Sequence, residues 1–410
     1  MSTSTKKARP APPTTPYTSN SLWHASGNHT LSLGCQTCFF RPDCGGLEVG
    51  ADVYDCLDFC RCEDRAACDN VCQRHPELFV PRLREVGGLK LDNVPSAQAI
   101  PSMTLPRHIP CVYHGSRRIL PLESSTVAIP LARLIDFGAG AAKFQSREEL
   151  LSEFMLADSC QIIATGTDRD HNLEKWWRIA DRRPVVQSLM RLGVIAATAP
   201  NYSVFDDVPR LDNLFNIKRI ALMTAEIHNE GLPCALHLNA RTDHDWNRWI
   251  EYLNARPEIS FVAVEFGTGA GYERRIDWHV NQMVRLAQQV RRPLGLIVRG
   301  GVHVLHRLTP AFESVSLIDT RPFSKASRRQ KAVIVDGRLR WQRCPTPEGA
   351  PIDQLLRENI DVAGASLPLI PKNIATADKL MSTYAPSGAA NDAGHESSQL
   401  SLLDQLSLKQ

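Results

Sequence analysis

From about residue 126 onward, short apolar runs alternate with longer stretches of helical period. The runs are Thr126–Leu131, Cys160–Thr165, Val194–Thr198, Ala235–Leu238, Phe261–Phe266, Leu294–Val298 and Val315–Ile318. They hold almost no internal polar residue, which suits parallel strands covered on both faces. Helical patterns fill the gaps at Arg147–Leu156, Leu173–Leu192, Leu211–Asn229, Asp245–Asn254, Arg275–Gln289 and His303–Leu308. This rhythm predicts an α/β fold, a (β/α) barrel rather than a doubly wound sheet. No G-x-G-x-x-G follows the first strand, which weakens a Rossmann reading. Lys331–Val335 and Arg338–Arg343, joined by Asp336-Gly337, predict a hairpin that closes or decorates the barrel.

The flanks lack this rhythm. Residues 1–20 are rich in Ser, Thr, Pro and Lys and read as a disordered lead. Residues 21–75 form a cysteine-rich module, and 76–125 an irregular Pro-rich collar before the barrel domain of 126–345. Residues 346–398 read as a linker and 399–410 as a short apolar-polar tail. The 410 residues carry a net charge of only +3, so bulk charge points to neither nucleic acid nor membrane. No apolar run reaches the roughly 20 residues of a membrane helix. The first 21 residues contain no apolar signal core, so a cytoplasmic address is expected, where structural disulfides are disfavoured.

That address changes the reading of Cys35, Cys38, Cys44, Cys56, Cys60, Cys62, Cys68 and Cys72. They read as metal ligands, for zinc or an iron–sulfur cluster, since four thiolates complete one site of either kind. Cys44-Gly45-Gly46 places small residues where backbone would bend close to the metal. The radical motif C-x3-C-x2-C is absent; Cys56, Cys60 and Cys62 have the wrong second gap. A structural staple is the simplest role for such a segment, because it has little apolar core of its own.

In a (β/α) barrel the chemistry sits just after each strand. Those positions are polar here. Asp168, His237, Glu265 and Asp319 are the catalytic candidates, as acid, base or nucleophile. Asn201, Asn239, Gly267, Gly269, Arg299, Gly300, Gly301 and Arg321 are candidates for holding a phosphate-bearing ligand. Some neighbouring residues have plainer roles: Asp170, and Asp243 or Asp245, suit helix N-caps. Trp176, Trp177, Trp246, Trp249 and Trp278 suit the layer between helices and sheet. Lys218-Arg219 and Arg182-Arg183 suit solvated helix ends.

The tail Gln399-Leu400-Ser401-Leu402-Leu403 resembles the bacterial sliding-clamp-binding peptide, with Leu403 in place of its final Phe. The resemblance implies that Gln399, Leu400, Leu402 and Leu403 bind the clamp, and says nothing about the barrel. These features predict a metal-containing barrel enzyme that hydrolyses or transfers a glycosidic or phosphodiester bond of a nucleotide or nucleic acid. Barrel transglycosylases that exchange bases offer a fold-level analogy, although none of their motifs is present. Two alternatives stand beside it: a non-catalytic DNA-associated adaptor, and an iron–sulfur redox or radical enzyme.

Overall fold

The computed structural model describes residues 85–367 apart from 101–103, 205–209, 268, 272 and 348, together with a two-residue pairing of Thr30–Leu31 with Glu48–Val49. The eight cysteines of the module and the clamp-like tail lie outside the described residues. Eight strands form one sheet: β1 His108–Pro110, β2 Thr126–Pro130, β3 Gln161–Thr165, β4 Val194–Thr198, β5 Cys234–His237, β6 Phe261–Glu265, β7 Gly295–Arg299 and β8 Ser314–Asp319. Their order is β1-β8-β7-β6-β5-β4-β3-β2, and every pairing is parallel. The edge strands meet through a Cys111–Ala128 bridge, with Val112 N donating to Ala128 O at 2.8 Å. The protein is a mixed α/β fold whose parallel sheet is a nearly closed barrel.

All seven strands expected from the apolar runs are present. The eighth, β1, lies in the segment read as collar. It has three residues between prolines, too short for a periodicity argument. The helices are α1 Arg147–Phe154, α2 Asp170–Trp177, α3 Arg183–Arg191, α4 Arg210–Asn229, α5 Asp243–Ala255, α6 Glu273–Gln289, α7 Leu305–Leu308, α8 Arg321–Ser327 and α9 Asp353–Ala365. The single helix expected over Leu173–Leu192 is two, because Pro184 occupies the first turn of α3 and cannot continue an earlier helix. Helix α9 lies where a linker was expected. It packs on α8 and on the hairpin β9 Gln330–Val335 and β10 Arg338–Arg343, which matches the expected turn at Asp336-Gly337.

Caps set several boundaries. Ser146 accepts from Glu149 N at the start of α1. Thr242, not either aspartate, is the N-cap of α5, and Asp245 completes a capping box with it.

Side chains alternate across each strand. Cys111, Ala128, Ile163, Ala196, Ala235, Ala263, Ile297 and Ile318 share one cluster inside the barrel. Their neighbours, among them Val127, Ile162, Leu236, Val264, Leu296 and Leu317, face the helices in a much larger cluster. Trp176, Trp246 and Trp249 are fully buried in that outer layer, as expected of them. A full burial of this kind is worth about 2–3 kcal/mol per large side chain.

Residues 85–98 run along the outside of α4 and α5. Lys218 donates to Lys90 O and Asn93 Oδ1, Arg248 to Leu89 O and Arg256 to Val94 O. Lys218 and Arg219 are buried, so they are not the solvated pair expected. Leu105 then enters the interior cluster beneath β1. Among the described residues no helix is long and apolar enough to cross a membrane.

Candidate active site

The alternation that buries Ala235, Ala263 and Ile297 inside the barrel aims the next inward residues, His237, Glu265 and Arg299, at its C-terminal mouth. These are the last residues of β5, β6 and β7. Strand register places Glu265 directly beside Arg299. Arg299 Nη1 donates to Glu265 Oε2 at 2.5 Å, and Gly267 N donates to Glu265 Oε1 at 2.6 Å. The Glu265 side chain is 5% exposed and that of Arg299 22%. The pair is thus dry on the carboxylate side and open to ligand on the guanidinium side.

Burial lifts the Glu265 carboxyl above the usual carboxylate range, and the adjacent guanidinium opposes that rise. Arg299 stays charged: burial works against its cation, but Glu265, Tyr113 and Cys111 outweigh it. Glu265 is therefore the member of the pair whose proton state is adjustable. Arg299 Nη2 also donates to the Tyr113 hydroxyl at 3.4 Å. Burial pushes Tyr113 up to about 12, and pushes the neighbouring Cys111 thiol up to about 11. Both are protonated near neutral pH, and a thiol so held is a poor nucleophile.

His237 is 2% exposed. Its Nε2 lies 3.4 Å from Thr167 Oγ1, and its Nδ1 has no hydrogen-bond partner among the described residues. Burial, then the charge of Arg299, takes its pKa down to about 3, so the imidazole is neutral. A buried ring nitrogen without a partner costs free energy, which a bound polar group would recover.

A second tier is built from loops. Asn239 Nδ2 donates to Asn201 Oδ1 at 2.8 Å and to Tyr202 O at 2.9 Å. Thr198 Oγ1 accepts from Gly166 N at 2.9 Å. Gly300 and Gly301 have φ of +76° and +61°, and a Cβ on Gly300 would lie 2.7 Å from Gly267 N. These glycines let the loops after β6 and β7 cross closely beside Glu265. Gly269 opens a 3-10 turn, Gly269–Gly271.

The structure therefore brings Glu265, Arg299, His237, Asn201, Asn239, Gly267, Gly300 and Gly301 to one end of the barrel. Asp319 ends β8 at the same end of the barrel but on the outer face. Ile318 faces inward, so Asp319 faces the helix layer, where His108 Nε2 lies 3.3 Å away and Arg321 donates through Nε at 2.9 Å and Nη2 at 2.7 Å. Burial works against its charge, but the hydrogen bonds from Arg321 and His108 prevail and hold it well below the usual range. Arg321, expected on phosphate, is committed to that carboxylate. Asp168 accepts from Arg169 N at 2.7 Å and Asn172 Nδ2 at 2.9 Å, which stiffens the loop into α2.

Tyr113, Cys111 and Thr167 were not among the candidates. The first two follow β1, and the inward alternation Ile109, Cys111, Tyr113 was their only signal. Among the described residues no group of three or more His, Cys, Asp or Glu could hold a metal ion.

Fold and site together define a parallel (β/α)-barrel-like protein with a buried carboxylate–guanidinium pair at its mouth. No protein-family model matches the chain, and no curated protein matches it. Among solved structures it is similar to one from Burkholderia cenocepacia J2315, named a "putative lyase/mutase", at 14% identity and a TM-score of 0.30, covering 60% of this chain and 88% of that one. At that level of likeness the barrel assignment rests on the strand pairing itself.

Proposed function

We propose that the protein is an enzyme whose barrel mouth hydrolyses or transfers a glycosidic or phosphodiester bond of a nucleotide or nucleic acid, with Glu265 as its acid–base or nucleophilic carboxylate. The observation that carries this reading is the buried Glu265–Arg299 pair, bonded at 2.5 Å on adjacent strand ends. A carboxylate in a dry site with an adjustable proton is suited to take a proton from an attacking water or hydroxyl. Negative charge that develops on the leaving group would be met by Arg299 and by the Tyr113 hydroxyl. Neutral His237, with Nδ1 unpartnered, and the Asn201–Asn239 pair offer hydrogen bonds of the kind a flat heterocycle accepts and donates.

Within the same proposal, the eight cysteines carry zinc or an iron–sulfur cluster as a staple, and the tail from Gln399 binds a bacterial sliding clamp. These parts rest on sequence spacing and on the resemblance alone.

A mass-spectrometric screen tests the reading. The full chain is incubated with nucleosides, nucleotides and short oligonucleotides, beside Glu265→Gln. A product formed by the wild type and reduced about a thousandfold in Glu265→Gln is expected. No product across the panel, or equal product from both proteins, overturns it.

A further inference from the structure

The hairpin β9–β10 is set apart by its charge. The whole chain holds 47 Lys and Arg against 44 Asp and Glu, yet Arg321 to Arg343 holds eight Lys and Arg and one acid, Asp336. Some of these cations are occupied. Arg321 pairs with Asp319, Lys331 with Glu358 at 2.8 Å, and Arg329 donates to Pro351 O at 3.2 Å. Arg328, Arg338, Arg340 and Arg343 are exposed and have no acidic partner among the described residues.

Register sorts these residues. Val335 pairs with Arg338, Val333 with Arg340 and Lys331 with Gln342, so all six share one face of the ribbon. That face presents cations separated by aliphatic side chains. At the tip Val335, on this face, is 41% exposed and Ile334, on the opposite face, 51%, beside the turn at Asp336 and Gly337 with φ of +51° and +70°. The ribbon is anchored at its base. Asn359 of α9 accepts from Ala332 N at 2.7 Å and donates to Gln330 O at 2.9 Å.

We propose that this ribbon docks double-stranded DNA, with Arg338 and Arg340 on the phosphate backbone and the apolar tip toward the groove. An anchored face of unpaired arginines is complementary to a polyanion. A two-stranded ribbon fits the major groove of B-form DNA, whereas the A-form groove of duplex RNA is too narrow to admit it. None of the ribbon's residues is among those at the mouth, and its role does not depend on the reaction proposed there.

Fluorescence anisotropy of the full chain with a 20-base-pair duplex, measured over a series of salt concentrations, tests this. R338A/R340A is expected to bind about tenfold more weakly and to make the slope of log K against log salt less negative by about 2, one unit per lost phosphate contact. K175A/R178A/R291A, which removes three exposed cations elsewhere, keeps the wild-type slope. Matching circular dichroism and melting temperature confirm that R338A/R340A is folded. Three results overturn the proposal: no binding by the wild type, an unchanged slope in R338A/R340A, or equal Arg-dependent binding to duplex RNA or anionic phosphatidylserine vesicles.

Discussion

Glu265 and Arg299 take opposite risks in being buried together. Each would be costly alone in a dry site, and removing one strands the other. Glu265→Gln keeps the shape and an acceptor for Gly267 N, so it isolates the charge. Tyr113→Phe removes only a hydroxyl from the same cluster; a fall in turnover of about tenfold to a hundredfold, with an unchanged melting temperature, is expected from steady-state kinetics. His237 gives a pH signature. Its folded pKa, about 3, lies below the ordinary 6.5, so the unfolded chain binds its proton first. Stability therefore falls as pH drops from 6.5 toward 3. His237→Asn should remove one proton from that dependence, about 1.4 kcal/mol per pH unit, in urea titrations over this range. Glu265, His237 and Arg299 were legible in the sequence because each follows an apolar strand directly. Tyr113 and Cys111 were not, since a strand of three residues between prolines hides its alternation.

At the scale of elements, the loops matter as much as the strands. A Cβ on Gly267 would lie 2.3 Å from Glu265 Oε1, so the carboxylate would have to move. Gly267→Ala is expected to lower turnover about tenfold to a hundredfold without changing any charge, a result that kinetics beside a melting curve can read. Beyond the mouth, Asp319 links β8 to β1 through His108 and to α8 through Arg321. Asp319→Asn should destabilise the fold by about 2–3 kcal/mol at neutral pH. Its folded pKa is depressed, so the wild-type contribution is present above the unfolded value near 4 and is lost as pH falls below it. The variant's stability should accordingly be flatter below about pH 4. Seven strands and the hairpin were readable from period and turn residues. Helix α9 was missed although Leu356, Ile360 and Ala363 keep helical spacing, because the low-complexity stretch that follows drew it into the linker. Asp319 looked catalytic because it ends a strand; which face it takes is fixed by Ile318, one residue earlier.

At the scale of the whole molecule, barrel closure defines the site. The Cys111–Ala128 bridge brings β1 beside β2, and only then does Tyr113 reach the β7 arginine. The strap of residues 85–98 is latched to α4 and α5 by Lys218, Arg248 and Arg256. The proposed metal module precedes that strap in the chain. Elemental analysis of anaerobically purified full chain should give at least one equivalent of zinc, or iron with sulfide, and a metal-free folded chain would remove that part of the proposal. The central claim is narrower: the chemistry belongs to Glu265 rather than to the other strand-end carboxylates. The most direct measurement compares initial rates of Glu265→Gln and Asp168→Asn on whichever panel substrate the wild type converts. Asp168 already serves its own loop, so its variant should stay within about threefold of the wild type, while Glu265→Gln loses about a thousandfold. Full activity in Glu265→Gln would contradict the account.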